Sequence, residues 1–384
     1  GDHRIAYLID MPRRHLLRKY TMPINPQTLA AAQDGTATRD QLAELLSLTD
    51  PADVQELYEA AYAVKRDTVG TVVHFRGIVE FSNICAKDCL YCGIRKSNTA
   101  VERFIMTEDE IVEAALWAFE SEYGSIVIQG GERQDAPFVE FIERALLRIK
   151  KESGGKLGVT LSLGEQSLDT FQRWYAAGAH RYLLRIESSN RKLYQTLHPE
   201  THTYDERIAA LADLRTAGYQ VGTGVMIGFP GQTALDLADD VLFFRDRDID
   251  MIGMGPYIVH EQTPMAATAT DDFDGDANLD LGLKMIAVTR LFLRDVNIAA
   301  ATALQALNPT GRELGLQAGA NIIMPNITET KYRSAYQLYN GKPCLDENST
   351  MCRGCLQRRI DSIGETIGFN NWGDSPHFEK RTSE

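Results

Sequence analysis

Three cysteines stand close together at positions 85, 89 and 92, in the spacing C-x₃-C-x₂-C. Three thiolates can hold three irons of a four-iron, four-sulfur cluster and leave the fourth iron without a protein ligand, unlike the four-cysteine sites of ferredoxins. The alternative is a structural zinc site, which normally takes four nitrogen or sulfur ligands, and segment 81–93 contains no fourth cysteine or histidine. The spacing therefore predicts a [4Fe–4S] cluster on Cys85, Cys89 and Cys92, with one iron open to a small molecule.

A second triplet, Cys344, Cys352 and Cys355, stands nearer the carboxyl end in the spacing C-x₇-C-x₂-C. It predicts a second iron–sulfur cluster or a zinc site, with a further ligand from elsewhere or from solvent; three unrelated thiols are the alternative. Because this triplet follows the last predicted strand, we expect it to lie away from the first one and to have an accessory role. Six cysteines in two groups are typical of metal ligation in a reducing compartment rather than of a secreted disulfide framework.

Composition narrows the classes of partner. The 384 residues carry a formal net charge of −13, and 44% of them are hydrophobic. An acidic chain disfavours binding to nucleic acid or to an anionic membrane surface. The sequence contains no run of about 18 apolar residues, so no transmembrane helix is expected, and its start lacks a secretory signal pattern. We therefore expect a cytoplasmic protein with a large core, and neither nucleic acid nor a membrane among its partners.

Strand-like and helix-like segments alternate from residue 72 onward. The predicted strands are 72–82, 125–130, 158–163, 181–187, 220–228, 251–258, 297–304 and 321–325, and amphipathic helices lie between them. Thr107 followed by Glu110 is a capping box that predicts the start of the first of these helices. Eight strand–helix units predict an α/β fold with a closed (β/α)₈ barrel of the TIM type over residues 71–330. Residues 1–70 are predicted to form a helical extension, and residues 331–384 a carboxyl-terminal segment with the second cysteine triplet.

The predicted strand ends point to the place of the chemistry, because barrel enzymes react substrates where the strands end. The first cysteine triplet follows the first predicted strand. Other strands end in residues that are far apart in the sequence but should converge at one mouth: Gln129 to Glu132, Ser162, Glu165, Arg185, Glu187, Met226, Tyr257, Thr302 and Asn326. This mouth is the expected active site.

Longer segments accompany the first cysteine triplet: Phe81-Ser-Asn-Ile-Cys85, Leu90-Tyr-Cys-Gly-Ile-Arg95, Thr160-Leu-Ser-Leu-Gly-Glu165, Arg181-Tyr-Leu-Leu-Arg185, Gly228-Phe-Pro-Gly-Gln-Thr233 and Ala318-Gly-Ala-Asn-Ile-Ile-Met-Pro-Asn326. Together they resemble the radical S-adenosylmethionine (SAM) superfamily, and within it the HydE type of [FeFe]-hydrogenase maturase. The resemblance covers most of the chain from about residue 40. It implies that SAM binds the open iron, and that an electron from the cluster cleaves SAM to a 5′-deoxyadenosyl radical.

The same resemblance implies residues that bind SAM. Glu187 and Arg207 suit its methionine end, because a carboxylate accepts hydrogen bonds from the amine and a guanidinium grips the carboxylate. An ordinary ion pair between strand and helix is the alternative. Thr160 and Ser162 are implied as further cofactor-binding residues in a polar cavity inside the barrel.

A glycine-rich segment after the second predicted strand is implied to lie along the methionine moiety. It comprises Gln129, Gly130, Gly131 and Glu132. Glycine lets a backbone approach a ligand closely, although two glycines after a strand can also form only a turn. Related sequences often carry serine at position 130, so a hydroxyl role there is lost in this chain while the backbone role remains.

Three residues are implied on the substrate side of the cavity, and we predict catalytic roles for them. Arg185 can clamp a carboxylate through two parallel hydrogen bonds, or can enter an ion pair inside the barrel instead. Thr302 is expected at the end of the seventh strand, where related sequences tend to carry two threonines and this chain has Ala301. Tyr336 matches a cavity tyrosine, with simple packing beside Tyr339 as the alternative.

The implied function is assembly of the diiron subcluster of [FeFe]-hydrogenase from a cysteine-bound iron complex with carbonyl and cyanide ligands. The implied partners are the maturase HydG, which delivers that complex, the scaffold HydF, which receives the product, and a one-electron reductant. A related enzyme is the first alternative: an amino-acid mutase such as methylornithine synthase, or biotin synthase, which is disfavoured because the predicted strands carry no extra cysteine. A non-catalytic iron–sulfur electron carrier or zinc-stabilised scaffold is the second, and its metal centre would not respond to SAM.

Overall fold

The structure of the protein is a computed structural model that describes residues 24–269, 273–346 and 349–383. The strands are β1 (Val72–Ser82), β2 (Ser125–Gly130), β3 (Gly158–Ser162), β4 (Arg181–Leu183), β5 (Gln220–Thr223), β6 (Met226–Ile227), β7 (Met251–Ile252), β8 (Gly255–Pro256), β9 (Asn297–Ile298), β10 (Ile322–Ile323) and β11 (Thr366–Ile367). The helices are α1 (Pro26–Gln33), α2 (Arg39–Leu46), α3 (Pro51–Thr68), α4 (Glu108–Glu120), α5 (Ala136–Glu152), α6 (Leu168–Ala176), α7 (Arg191–Leu197), α8 (Tyr204–Thr216), α9 (Ala234–Asp246), α10 (Ala266–Ala269), α11 (Gly275–Leu293), α12 (Thr302–Leu307), α13 (Gly311–Gln317), α14 (Thr330–Arg333), α15 (Ser349–Ser362) and α16 (Pro376–Ser383).

Capping threonines fix where several helices begin. The Oγ1 atom of Thr107 accepts a hydrogen bond from Glu110 N at 3.2 Å, and the Glu110 carboxylate accepts one from Thr107 N at 2.8 Å. The capping box predicted for α4 is therefore confirmed. Thr203 caps α8 in the same way, which sets the position of Arg207 in the first turn of that helix.

Eight strands form one parallel sheet in the order β10-β1-β2-β3-β4-β5-β7-β9. The sheet curls until its two edges approach each other, since an isolated parallel bridge joins Ala299 to Ile322 and Ala300 N donates to Ile322 O at 2.9 Å. The continuous ladder nevertheless remains open between β9 and β10. The predicted α/β fold is thus confirmed, with a curled parallel sheet of eight strands. The predicted closure into a full barrel is not confirmed, because the hydrogen-bond ladder between strands is not continuous around the sheet.

The later strands are shorter than the sequence predicts. Segment 220–228 is divided into β5 and β6, because the chain bends where Gly224 passes so close to Gly253 that a Cβ on Gly224 would lie 2.1 Å from Gly253 O. Segment 297–304 keeps only β9 as strand, because the alanines that follow Ile298 have little preference for a sheet. The prediction that Thr302 ends a strand is therefore wrong: Thr302 is the first residue of α12.

The first three helices pack outside the sheet, against α9 and α11. Lys65, at the end of α3, is fully buried and donates to Leu316 O at 2.9 Å and to the Glu365 carboxylate at 2.5 Å. These contacts hold α3 to the later part of the chain. None of the described helices combines the length and the apolar character that a bilayer span requires.

Residues 366–375, which we call the base segment, fill the amino end of the sheet. The segment begins with β11, which pairs with the start of β1 through Val72 and Thr366. Two fully buried arginines of the sheet meet it: Arg76 Nη2 donates to Gly373 O at 2.9 Å, and Arg181 Nη1 donates to Asp374 Oδ1 at 2.6 Å. The base segment therefore supplies the hydrogen-bond acceptors that these guanidinium groups need.

Asp374 provides the negative charge at this end of the sheet. Its charge acts on both Arg76 and Arg181, and its Oδ1 lies 3.3 Å from His180 Nε2. Burial alone would raise the pKa of Asp374, but the hydrogen bond from His180 and the charge of Arg181 outweigh it and hold the pKa well below its usual range. Burial lowers the pKa of His180 to about 3, so the imidazole is neutral and donates to an ionised Asp374.

Candidate active site

A cavity of about 340 Å³ lies at the carboxyl ends of the parallel strands. The sequence-predicted site residues that line it are Cys85, Cys89, Cys92, Gln129, Gly130, Gly131, Glu132, Ser162, Arg185, Glu187, Arg207, Thr302 and Tyr336. They come from most of the strands and from the loops after them. Met226 and Tyr257 line it too, whereas Glu165 and Asn326, which were also expected at the mouth, are not among its lining residues. The convergence at one mouth that the strand ends predicted is therefore present for most of these residues.

The first cysteine triplet lies in a loop that follows β1, and one arginine holds this loop in shape. Arg103 donates to Asn83 O at 2.6 Å, to Ile94 O at 2.8 Å, to Arg95 O at 2.6 Å and to Asn98 O at 2.9 Å. Four carbonyl oxygens of one irregular segment thus share a single guanidinium. This arrangement turns the loop toward the cavity without regular secondary structure.

The three thiols are buried beside one another, which determines what they can bind. Burial raises the pKa values of Cys85, Cys89 and Cys92, that of Cys92 to about 12. Cysteines bind metal as thiolates. Because burial removes the water that would stabilise these negative charges, a positively charged centre such as the irons of a cluster must stabilise them instead. Cys85 Sγ also accepts hydrogen bonds from the backbone N–H groups of Lys87 and Glu132, at 3.4 and 3.3 Å. This donor set fits a [4Fe–4S] cluster.

The backbone after β2 passes directly behind the cysteine loop. A Cβ on Gly131 would lie 2.3 Å from Ile84 O and 2.9 Å from Cys85 Cα, whereas a Cβ on Gly130 would meet a ring atom of Phe81 at 2.7 Å. An aromatic ring can move aside, but two backbones in contact cannot separate without moving the loop. Glycine is therefore required at position 131 for the close approach, and position 130 is more tolerant.

We expect Gly131→Ala to displace Cys85 and to weaken cluster retention by about tenfold, because overpacking a contact of this kind costs roughly 1–3 kcal/mol. Iron bound per chain after anaerobic reconstitution and desalting measures the effect. Gly130→Ala is the matched control, since its new methyl group meets mainly the ring of Phe81 and comes no closer than 3.3 Å to the backbone, at Ser82 O. Equal iron retention by the two variants would show that the backbone contact is not what positions Cys85.

A network of charged side chains lines the cavity next to Cys89. Arg207 Nε donates to Glu165 Oε1 at 2.6 Å, and Lys87 Nζ lies 2.9 Å from Glu165 Oε2 and 3.2 Å from Glu132 Oε1. His202 Nε2 lies 3.0 Å from Glu165 Oε1 and 2.6 Å from Arg207 Nη2. Burial would raise the pKa of Glu165, but its contact with His202, the charge of Arg207 and the hydrogen bond from Lys87 hold that pKa well below the usual range. The ion pair left open for Arg207 is formed, with Glu165 as its partner.

Glu187 and Arg185 form a second ion pair on the wall. Arg185 Nε and Nη2 both donate to Glu187 Oε2, at 3.1 and 2.8 Å, and Nη2 also donates to Val225 O at 3.0 Å. Glu187 has a left-handed backbone with φ 64°, a conformation that residues other than glycine adopt mostly where the surroundings impose it. The ion pair left open for Arg185 is thus present, and both of its members still line the cavity.

Two predicted residues of β3 lie at different depths. Ser162 lines the cavity, but Thr160 is fully buried and its Oγ1 accepts a hydrogen bond from Arg181 Nε at 3.0 Å. The two residues share a face of the strand, yet Thr160 is two residues closer to the amino end, about 7 Å deeper. Its expected place in the cavity lining is corrected: Thr160 lies below the cavity, beside the arginines of the base.

Tyr336 lies on the opposite wall. Its hydroxyl accepts a hydrogen bond from Gln129 Nε2 at 3.1 Å, and burial raises its pKa well above the usual range, so the phenol stays protonated. Tyr339 lines the cavity as well, so the two tyrosines are part of one wall. Thr302 completes that side, and its Oγ1 accepts a hydrogen bond from Arg312 Nη2 at 2.9 Å.

Sequence reasoning missed several residues of the cavity. Lys342 Nζ lies 2.5 and 2.6 Å from the two oxygens of Glu80 and donates to Tyr336 O at 3.0 Å. Lys87 carried one usable signal, its position between the cluster cysteines, whereas no motif surrounds His202 or Lys342. Glu80 could have been found from alternation along β1, because it shares a strand face with other cavity residues.

The second cysteine triplet lies elsewhere. Neither Cys344 nor Cys355 lines the cavity, as expected from their place after the last strand. Cys344 precedes α15 and its carbonyl accepts a hydrogen bond from Arg333 Nη1 at 2.9 Å, and Cys355 is on α15. The side chain of Cys352 lies outside the described residues.

Comparison with known proteins agrees with the cysteine loop and the curled sheet. The model of the Radical SAM superfamily matches residues 79–244, which contain the first cysteine triplet, the end of β1 and strands β2 to β6. A parallel α/β sheet with three cysteines at its carboxyl edge defines this chain as a radical SAM enzyme. The chain is also 43% identical to the [FeFe] hydrogenase maturase subunit HydE of Thermotoga maritima over 336 residues, which are 88% of this chain and 93% of that one. Within the superfamily, the chain belongs to the HydE family.

Solved structures support the fold. The chain superimposes on methylornithine synthase (PylB) with a TM-score of 0.75 and 24% identity, over 89% of this chain and 98% of that one. It superimposes on the [FeFe]-hydrogenase maturase HydG of Carboxydothermus hydrogenoformans with a TM-score of 0.73 and 19% identity, over 89% of this chain and 79% of that one. At these identities the agreement concerns the architecture alone.

Proposed function

We propose that this chain holds a [4Fe–4S] cluster on Cys85, Cys89 and Cys92, and that it serves as a HydE-like maturase. It acts in assembly of the [FeFe]-hydrogenase diiron subcluster, on a cysteine-bound iron complex that carries carbonyl and cyanide ligands. The observation that carries the proposal is one cavity whose lining combines three thiols with a set of charged side chains. When bound, the cluster supplies the electron that cleaves SAM to a 5′-deoxyadenosyl radical.

The residues of the chain then divide the work of binding. The backbone at Gly130 and Gly131 and the amide of Gln129 lie beside the cysteine loop, where they bind the methionine part of SAM. The carboxylates of Glu187 and Glu132 accept hydrogen bonds from its amine, and Arg207 pairs with its carboxylate. Ser162 supplies a hydroxyl group. Thr160 acts only indirectly, through its bond to Arg181.

Arg185, Thr302 and Tyr336 form the substrate side in this proposal. Arg185 binds an anionic group, and the hydroxyl groups of the half-buried Thr302 and the buried Tyr336 offer further hydrogen bonds. The nearby pair of Glu80 and Lys342 is satisfied internally and closes that wall.

We also propose that the sheet closes into a full barrel along the bridge between Ala299 and Ile322. A closed wall excludes water and solvent hydrogen atoms from a primary radical. Residues 71–330 are then the barrel, and residues 331–384 are a segment that contributes Tyr336 and Lys342 to the cavity. The helical extension predicted over residues 1–70 corresponds to α1, α2 and α3, and its residues 1–23 lie outside the described residues.

The proposed partners follow from the same family. HydG delivers the substrate complex and HydF receives the product. A one-electron reductant donates an electron to the cluster. Cys344, Cys352 and Cys355 hold an accessory cluster in this proposal, and clustered cysteines of this kind fit a reducing compartment such as the cytoplasm. An amino-acid mutase resembling methylornithine synthase is the second candidate; it has the same architecture, but the higher identity to HydE favours the maturase.

Anaerobic reconstitution with iron and sulfide, followed by SAM and a reductant, tests the proposal. We expect 5′-deoxyadenosine to form, and the iron complex made by HydG to be consumed and its product to reach HydF. Deoxyadenosine formation with rearrangement of an amino acid, and with no change in the iron complex, would identify the mutase instead. A cluster spectrum that does not respond to SAM would identify an electron carrier.

Arg185→Lys is expected to impair substrate turnover more than SAM cleavage. Lysine keeps the charge but loses the fork of donors, and a lost charge-assisted hydrogen bond of about 1.5–3 kcal/mol corresponds to roughly a 10–150-fold loss of substrate affinity. The ratio of deoxyadenosine to product measures the uncoupling, with SAM affinity determined separately. Because Arg185 pairs with Glu187, a parallel loss of SAM binding is the contrary result, and it would place Arg185 in the SAM site.

Replacing Cys344, Cys352 and Cys355 together by alanine is expected to leave deoxyadenosine formation within about twofold of wild type. The physical reason is position, since neither Cys344 nor Cys355 lines the cavity. The initial rate of reductive SAM cleavage and the iron bound per chain are the measurements. A folded triple variant that binds SAM but does not cleave it would contradict an accessory role.

A further inference from the structure

His202 connects a cluster cysteine to the charged network of the cavity. Its side chain is 1% exposed and lies between α7 and α8, with Nδ1 3.8 Å from Cys89 Sγ and Nε2 2.6 Å from Arg207 Nη2. The loop that carries it is tied to the cysteine loop, because Leu90 N donates to Leu197 O at 2.9 Å. One buried ring therefore contacts both a cluster ligand and a cavity arginine.

The neighbours of the ring determine where its proton lies. Nε2 of His202 faces a group that can only donate, Arg207 Nη2 at 2.6 Å, and a carboxylate oxygen that can only accept, Glu165 Oε1 at 3.0 Å. The contact with Arg207 is the shorter one and leaves no room for a hydrogen on Nε2, so Nε2 accepts a hydrogen bond from Arg207, while Glu165 receives its hydrogen bonds from Arg207 Nε and Lys87 Nζ. The proton of the neutral imidazole then sits on Nδ1, which faces Cys89 Sγ. Arg207 also donates to Glu165 Oε1 at 2.6 Å, so the guanidinium bridges the carboxylate and the imidazole nitrogen.

We propose that His202 is a positioning residue that donates an Nδ1–H···Sγ hydrogen bond to Cys89 and thereby raises the reduction potential of the cluster. This inference rests on the proposed cluster on Cys85, Cys89 and Cys92. Hydrogen bonds to the sulfurs of iron–sulfur clusters are among the features that set their potentials, because they stabilise the more negative, reduced form. Through Nε2 the same ring holds Arg207 toward the cavity. One residue therefore influences both the reduction potential of the cluster and the position of the arginine that binds SAM.

A neighbouring histidine provides a contrast. His198 lies next to His202, with ring centroids 4.6 Å apart, but its Nδ1 is 2.8 Å from Tyr194 O. A carbonyl oxygen can only accept, so the His198 proton is on Nδ1 and its Nε2 has no hydrogen to offer to a sulfur atom. His198 is therefore a matched control in the same pocket.

Two amide substitutions separate the two contacts of His202. In His202→Asn the side-chain NH₂ group replaces Nδ1–H and still reaches Cys89, but the acceptor for Arg207 is lost. In His202→Gln the longer side chain places its carbonyl oxygen near the position of Nε2, so the acceptor for Arg207 is kept and the donor to Cys89 is lost. His202→Ala removes both contacts.

The experiment is a redox titration of the anaerobically reconstituted full-length protein, followed by electron paramagnetic resonance, in the absence of SAM. We expect His202→Gln and His202→Ala to shift the one-electron reduction equilibrium about tenfold toward the oxidised cluster, which is about 59 mV to more negative potential. His202→Asn and His198→Phe should retain the wild-type potential. SAM affinity should fall about fivefold in His202→Asn and His202→Ala and remain near wild type in His202→Gln, since one hydrogen bond to Arg207 is worth about 1 kcal/mol.

Each other outcome is decisive. A wild-type potential in a cluster-loaded His202→Gln protein would overturn the proposal, as would an equal shift in His202→Asn and His202→Gln. If every His202 variant loses the cluster while His198→Phe keeps it, His202 is a structural requirement of the loop and tunes nothing. Retention of the cluster by a Cys89→Ala variant would instead overturn the proposed cluster site, which is a separate failure.

Discussion

Replacing Cys85, Cys89 or Cys92 by alanine is expected to abolish both the cluster spectrum and the reductive cleavage of SAM. Each substitution leaves only two thiols of the three that line the cavity, and a cubane with two protein ligands has two open irons. Reconstitution with iron and sulfide, visible absorption and the yield of deoxyadenosine measure the loss. We expect activity below the detection limit, which is the largest effect of any substitution in this chain.

Cys355→Ala is the matched control for this series. It removes a thiol of the same kind from α15, outside the cavity, and should retain the cluster of the first triplet and its SAM cleavage. Detectable deoxyadenosine from any of the three cavity variants would show that the cluster is held differently.

Asp374→Asn is expected to destabilise the protein by about 3–5 kcal/mol, the usual cost of removing one partner of a buried ion pair. The substitution preserves size but removes the negative charge beside the buried guanidinium groups of Arg76 and Arg181. The midpoint of anaerobic urea unfolding, followed by tryptophan fluorescence, measures the loss. Trp372 reports directly on the base segment, because its ring packs on His180 at 4.3 Å between centroids.

The pH dependence provides an independent check. The pKa of Asp374 in the folded protein lies well below its unfolded value of about 3.9. Its contribution to stability is therefore complete above that unfolded pKa and is lost as the pH falls toward the folded pKa. The wild-type protein should lose stability in acid more steeply than Asp374→Asn.

The control for the urea experiment is Asp205→Asn, at an exposed ion pair with Arg191. It should leave the midpoint of urea unfolding unchanged, and equal midpoints for the two variants would contradict the structural role of Asp374.

Local signals in the sequence were sufficient to predict the cysteine loop and many of the residues that line the cavity. Close cysteine spacing and the capping box at Thr107 depend on neighbours in the chain, so they can be read without the fold. Glu187 was expected at the cavity from its place at the end of a predicted strand and Arg207 from the resemblance to the radical SAM superfamily, and both line it. The ion-pair partners of these residues were less predictable. Arg207 pairs with Glu165 and not with Glu187, because the depth of each side chain in the sheet and its rotamer decide which charges meet.

Residues that contact one another only through the fold escaped prediction. Thr160 was expected in the cavity because it shares a strand face with Ser162, but a shared face does not fix depth. The base segment carries no motif, and its contacts reach residues far away in the sequence, as Trp372 does with Lys156 O. His202 stands near Cys89 only because α7 returns to the cysteine loop. Nothing in its local sequence marks that contact.

The base segment has a consequence for the order of events during synthesis. Residues 366–375 come last among the strands, yet they complete the amino end of a sheet that begins at residue 72. A ribosome releases the chain from its amino end onward, so the sheet emerges with Arg76 and Arg181 still lacking the acceptors on Gly373 and Asp374. The curled sheet can thus reach its final stability only after residues 373 and 374 have been synthesised.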